Sequence, residues 1–192
     1  FDDVPELVQN IDLQSPLGCW NTVVASQNTG LSGRPFACLT FAANIALDGY
    51  RVRGFHIVNV LIHLFSALVL FAIVRHTIAR TSENAALAAR TAGLIALIWS
   101  VHPLQTESVT YIIQRIESLA GLLYLLTLYC ALRSWEQQHS LLWHGLSIGS
   151  CALGMLTKEI VVTVPLLVFF YDAVFVTRSW SDALRQRKWL YA

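Results

Sequence analysis

Between Arg53 and Arg75 the chain carries no Asp, Glu, Lys or Arg, and between Glu136 and Lys158 it again carries none. Each gap is about the 20 residues that take a helix across the ~30 Å hydrocarbon core of a bilayer. A soluble domain cannot absorb two such stretches, because its surface needs polar cover. Composition agrees: of 192 residues, 55% are hydrophobic and 13% charged, where soluble domains carry about 25% charge. Mean hydropathy is +0.55. The chain therefore reads as an all-α, polytopic transmembrane protein. A net charge of +1, with no stripe of interleaved basic and aromatic residues, argues against a nucleic-acid partner.

The polar punctuation predicts five spans, at about 54–74, 86–101, 118–132, 142–156 and 161–176. Residues 1–53 form the longest part outside the spans. Within them Phe36, Leu39, Thr40, Ala43 and Leu47 recur every three or four residues, the pattern of a short amphipathic helix on a membrane surface. Arg75, Arg80, Arg133, Arg178, Arg185, Arg187 and Lys188 fall on one side, with Arg90 close by. Arg34, Arg51, Arg53, Arg115 and Lys158 fall on the other. The positive-inside rule makes the first side cytoplasmic. Residues 1–53 then become an extracytoplasmic loop and 177–192 a cytoplasmic tail. The chain begins without Met or a visible signal segment and ends without an obvious stop, as a fragment cut at both ends would. Of the four cysteines, Cys130 and Cys151 lie in apolar runs as small hydrophobes. Cys19 and Cys38 could pair in an oxidising compartment, although free thiols are the simpler expectation.

Residues 99–118, WSVHPLQTESVTYIIQRIES, break two apolar runs with a histidine, two glutamates and an arginine. A helix crossing a bilayer has no reason to end in such a cluster unless the cluster meets water or a polar cavity. His102 and Glu107 are suited to orienting an acceptor or a metal, and Arg115 to gripping a phosphate oxygen. An ion pair of Arg115 with Glu107 or Glu117 is the structural alternative. His56, Asn59 and His63 share one helix face, either as a polar wall reaching down from the outer surface or as a hydrogen-bonding seam between helices. Lys158-Glu159 sits between two apolar runs, where a charged pair needs a partner; an anionic headgroup suits Lys158. Asp2-Asp3 is either a solvated loop start or a general base or cation site. Arg34 is a weaker candidate. No definite metal ligand set emerges, and a divalent cation at the acidic pair stays open.

The segments FDD, SGRPF, GFHIVNVLIHL, VHPLQTESVTYIIQRIESLAGLLYLLTLYC and LTKEIVVTVPLLVFFYD resemble, in that order, the membrane half of the TMTC-like O-mannosyltransferase family. The likeness is nearest to its bacterial members, which usually carry tetratricopeptide repeats after the membrane part. The resemblance implies a GT-C-like fold acting on a polyprenyl-phosphate-linked sugar outside the cytoplasm, in a bacterial inner membrane or, in a eukaryote, the endoplasmic reticulum. It implies that Asp2 or Asp3 is the catalytic carboxylate. It further implies donor or substrate contacts at His102, Glu107, Arg115, Lys158 and Glu159, to which the polar wall adds Arg34, His56, Asn59 and His63. The partners implied are a polyprenyl-phosphate sugar, a protein or glycan acceptor and the bilayer.

Three functions remain open. In an inverting glycosyltransferase an aspartate activates a hydroxyl that displaces the lipid phosphate, whose growing charge is met by cations. A transporter would use the same residues as a path, but should show internal repeats, and 54–101 does not repeat in 118–176. A membrane anchor for a repeat-containing scaffold would need no working site.

Overall fold

The computed structural model describes residues 31–81, 84–135, 140–177 and 179–180. All regular structure there is helical. Helix α1, Pro35–Asp48, starts on a proline whose fixed φ and missing N–H suit a first turn. It stops at Gly49, which takes a φ of 63° and donates its N–H to the Ile45 carbonyl. α1 buries Ala37, Cys38, Phe41, Ala42 and Asn44 over Phe55 and Ile116, and leaves Leu47 89% exposed. Cys38 is disulfide-bonded, correcting the expectation of a free thiol. Cys19 lies outside the described residues, and Cys130 and Cys151 are free.

Helix α2, Val52–Ala79, has 28 residues and is therefore about 42 Å long, more than a bilayer core requires. It buries Phe55, Asn59, Ile62, His63, Ser66 and Ile73, while Ile57, Val60, Leu61, Leu64, Phe65 and Leu68 are exposed. An apolar outside around a partly polar inside is stable in lipid and not in water. Helix α3, Ala85–Ser100, is capped by Asn84, whose side chain accepts from the Leu87 N–H. Its buried face is Ala88, Ala92 and Ala96. One small residue per turn lets it lie close along α2.

Pro103 then turns the chain. His102 is extended, as a residue before proline prefers. A 3-10 turn, Pro103–Gln105, leads into the short helix α4, Thr106–Thr110, bent 56° from α3. Helix α5, Arg115–Ser134, is the most enclosed span and packs on α2 and on α6, Ser140–Met155. The last segment runs from a 3-10 turn, Glu159–Thr163, through α7, Val164–Tyr171, into a π turn, Asp172–Val176.

All five expected spans are helical, with shifted ends. Among the described residues three segments, Val52–Ala79, Arg115–Ser134 and Glu159–Val176, are long and apolar enough to cross a membrane, and the bent α3–α4 pair is either a broken fourth span or a re-entrant loop. The fifth, α6, has 16 residues, about 24 Å of helix among the described residues. α5 begins at Arg115 rather than 118, so Arg115 and Glu117 belong to its first turn. One end of the bundle collects α1, the start of α2, the 101–114 link and the α6–Lys158 turn, tied by the Phe36 N–H on the Leu156 carbonyl at 3.1 Å. Toward the other end Thr77 and Tyr171 join hydroxyls at 2.6 Å.

The turn that delivers Lys158 depends on Gly154, whose carbonyl accepts from the N–H groups of both Thr157 and Lys158 at 2.9 Å. A Cβ there would stand 2.6 Å from Val161 Cγ1, and Val161 is fully buried. Gly154→Ala should therefore destabilise the solubilised protein by about 1–3 kcal/mol, read as a lower melting temperature. An unchanged melting temperature would mean that the turn opens without cost.

Candidate functional site

Backbone that leaves helical geometry near a membrane must find partners within the protein. The 101–114 link finds them on α2. His56 Nδ1 donates to the Val109 carbonyl at 3.2 Å and Asn59 Nδ2 to the Tyr111 carbonyl at 3.1 Å. His63 Nε2 donates to the Ser100 carbonyl at 2.9 Å, just before the link. A carbonyl only accepts, so each of these ring nitrogens carries its proton. Spacings of three and four on α2 thus pin the HPLQTE link to the bundle. His63 also stacks on Trp99, with ring centroids 5.1 Å apart.

Arg115 is fully buried. Its Nε donates to Asn59 Oδ1 at 2.9 Å and its Nη2 to Asn44 Oδ1 at 2.8 Å. The carbonyls of Thr40 and Phe55 accept at 3.3 and 3.1 Å. The guanidinium lies over the Phe41 and Phe55 rings, 4.5 and 5.4 Å from their centroids. It grips α1 and α2 rather than facing a phosphate, and neither Glu107 nor Glu117 is among these partners. Asn59 holds Arg115 and the Tyr111 carbonyl together, so α1, α2, α5 and the link meet at one node.

Lys158 donates from Nζ to Glu117 Oε1. Its match is therefore a residue of α5, not its neighbour Glu159, which is exposed. Glu107 and His102 are exposed too; His102 Nδ1 accepts from the Leu104 N–H at 3.2 Å and caps the 3-10 turn. Arg34 is half-buried at the start of α1. Asp2 and Asp3 lie outside the described residues. Among the described residues no group of three or more His, Cys, Asp or Glu could hold a metal ion.

Between α2, α3, the link and α5 lies a cavity of about 370 Å³, lined by His63, Ser66, Trp99, Gln105, Ser108 and Glu117 on its more polar side. Leu70, Gly121, Tyr124 and Leu125 are among the rest of its wall. Through Glu117 it adjoins Lys158. Of the candidates read from the sequence, His63 faces it directly and Lys158 borders it. Trp99, Gln105 and Ser108 had no assigned role, and Glu117 was read only as an alternative ion-pair partner of Arg115. The sequence signal for them was only their place in the polar stretch 99–118, because the Glu117–Lys158 contact spans 41 residues.

The chain is 34% identical over 196 residues to protein O-mannosyl-transferase TMTC4 of Homo sapiens, covering 92% of this chain and 26% of that protein. It is 34% identical over 191 residues to TMTC1 of Homo sapiens, covering 89% and 21%, and 27% identical over 191 residues to TMTC3 of Mus musculus, covering 94% and 20%. This chain is a TMTC-like sequence. It spans about a quarter or less of the length of these relatives. No family model and no solved structure matches it. The matched length of the TMTC-like chain takes in the α2 seam, the 99–118 stretch and the Lys158 turn, so the likeness lies in the membrane helices that build the cavity.

Proposed function

We propose that the TMTC-like chain is the donor-handling part of an O-mannosyltransferase that takes its sugar from a polyprenyl phosphate and inverts the anomeric centre. The observation that carries this reading is Lys158, an ammonium at the α6–α7 turn, beside a cavity whose floor is membrane helix. A lipid-phosphate sugar has that layout: an apolar chain, one anionic phosphate and a polar ring. The names of the relatives, protein O-mannosyl-transferases, support mannose as the sugar and a protein hydroxyl as the acceptor. The disulfide at Cys38 fits a catalytic end facing an oxidising, non-cytoplasmic compartment.

In this mechanism the acceptor oxygen attacks the anomeric carbon from the face opposite the phosphate. The bond from that carbon to the phosphate oxygen breaks, and its electron pair leaves on the phosphate. Asp2 or Asp3 takes the hydroxyl proton, and Lys158 stabilises the charge that grows on the leaving oxygen. Arg115 is committed to its four acceptors, so that load falls on Lys158.

The full-length protein, given labelled polyprenyl-phosphate mannose, should transfer label to a Ser or Thr hydroxyl. Lys158→Met should fold normally and lose about tenfold or more in kcat/KM for the donor, the size of one charge-assisted hydrogen bond. Donor titrations that superimpose for wild type and Lys158→Met would remove the lysine from the donor site. No transfer by wild type from any lipid-phosphate sugar would favour an anchoring role.

A further inference from the structure

Several polar side chains around the cavity already have partners. His63 donates to the Ser100 carbonyl and Ser66 to the Ile62 carbonyl. Ser118 donates to the Gln114 and Ser108 carbonyls, and the Tyr124 hydroxyl meets Thr163 Oγ1. Besides the Trp99 indole N–H, three do not: among the described residues the Gln105 amide, the Ser108 hydroxyl and Glu117 Oε2 have no protein partner. These three converge on one space from two different elements, the link and α5. Gln105 and Ser108 are half-buried and Glu117 is exposed, so these groups meet water until a ligand that offers hydrogen bonds of its own displaces it.

The chemistry of the lining narrows what binds. A bare anion is disfavoured because Glu117 is part of the wall. A metal ion finds one carboxylate and no second ligand of its kind. An isoprenoid chain needs none of the three polar groups. A neutral polyol uses all of them: hydroxyls for Gln105, Ser108 and Glu117, and a C–H face for the Trp99 indole, which His63 holds by stacking. The volume, about 370 Å³, is at the small end of the ~300–1,000 Å³ typical of ligand pockets. That suits one sugar ring rather than a peptide.

We propose that this cavity seats the sugar ring of the lipid-phosphate donor, and that Glu117 selects for it by exchanging Lys158 for the sugar's hydroxyls as the phosphate arrives. The assignment rests on the donor reading above and adds where the ring sits and what reads it. Lys158 and Glu117 are 26% and 47% exposed at their side chains, and a pair that open holds only weakly against a competing ion. A phosphate therefore displaces the carboxylate from Lys158 easily. Glu117 is then free at both oxygens, next to a ring joined to that same phosphate.

This arrangement predicts effects of opposite sign at one residue. In the full-length protein, binding would be measured for two probes of equal chain length, an isoprenyl phosphate and an isoprenyl-phosphate mannose. Wild type should hold the mannose-bearing probe about tenfold or more tighter, since two or more hydrogen bonds are gained. Glu117→Gln should bind the bare phosphate as well as wild type or severalfold better, because Lys158 loses its competitor, yet lose most of the preference for the sugar. Gln105→Ala should reduce the preference without changing affinity for the bare phosphate, and it leaves the ion pair intact. Equal wild-type affinity for the two probes would overturn the sugar seat while leaving the donor reading standing. Weaker binding of both probes by Glu117→Gln would reduce Glu117 to a structural partner of Lys158 and overturn its selecting role. Failure of both probes to bind wild type would overturn the donor reading and this assignment together. Glu117-dependent binding of methyl mannoside, with no preference between the lipid probes, would assign the cavity to the acceptor and overturn it as a donor site.

Discussion

Arg115→Met should leave little folded protein, a loss of about 3–5 kcal/mol, whereas donor affinity per folded molecule should stay near that of wild type. The size follows from what the substitution strands. Asn59 Oδ1, Asn44 Oδ1 and the carbonyls of Thr40 and Phe55 all lose a donor, and a buried polar group left without its partner costs about 1–3 kcal/mol. Partial rearrangement keeps the total below the simple sum. Arg115→Lys should recover only part of the loss, because an ammonium cannot supply the planar fork that reaches acceptors on two helices. The measurement is the yield and melting temperature of the solubilised protein, beside donor binding normalised to folded material. The pair of readouts separates two roles for this arginine. If it held the donor phosphate, the folded fraction would survive and donor affinity would fall, as expected for Lys158→Met. Wild-type stability in Arg115→Met would show that the node does not hold α1 to the bundle.

The location makes the node costly to build. Arg115 is the first residue of α5, where the helix dipole disfavours a cation by about 0.3–1 kcal/mol. Burial adds a desolvation penalty of several kcal/mol with no carboxylate among its hydrogen-bond partners to offset it. Four hydrogen bonds from a charged donor, each worth about 1.5–3 kcal/mol, and two aromatic faces exceed both terms. An arginine can meet this geometry because it is less strongly hydrated than an ammonium and presents a fixed fork of donors. The result ties α1 to the same turn of α5 that carries Glu117, one residue beyond Ile116.

What the sequence disclosed and what it concealed divide along contact range. Long runs without charge, such as 54–74, state their environment directly, because no other fold tolerates them. The spacing of His56, Asn59 and His63 likewise disclosed a shared face. It did not disclose the target, because their acceptors are backbone carbonyls some 37 to 53 positions away, and a carbonyl has no sequence signature. Arg115 was read by charge alone, as a phosphate grip or an ion pair, when its partners are two neutral asparagines and two carbonyls. The same habit of placing charges outside helices moved the start of α5 from 115 to 118. Lys158 looked matched only by Glu159 because adjacency is visible in a sequence and a 41-residue return is not.

The double variant Asp2→Asn, Asp3→Asn should cost about 100-fold or more in turnover while leaving donor binding nearly intact. The reasoning starts from the proton that the acceptor hydroxyl must lose as its oxygen bonds to the anomeric carbon. General-base catalysis contributes about 10²–10⁴-fold, and asparagine keeps the size and most hydrogen bonds of aspartate without accepting that proton. Neither residue is needed to hold the phosphate, which falls to Lys158, nor the ring, which falls to Glu117 and Gln105. The loss should therefore appear in kcat with KM for the donor little changed. The single variants divide the work. A base acts by hydrogen-bond contact, so one of Asp2→Asn and Asp3→Asn should carry nearly the whole loss and the other much less. Comparable losses in both, partly relieved by added divalent cation, would show that the pair binds a metal. The pH–rate profile gives an independent sign: a base must be ionised, so wild-type turnover falls as pH drops through its pKa, and that acid limb should vanish in the inactive single variant's residual rate. Wild-type turnover in the double variant would leave the transfer without its base and would move the chemistry to another carboxylate.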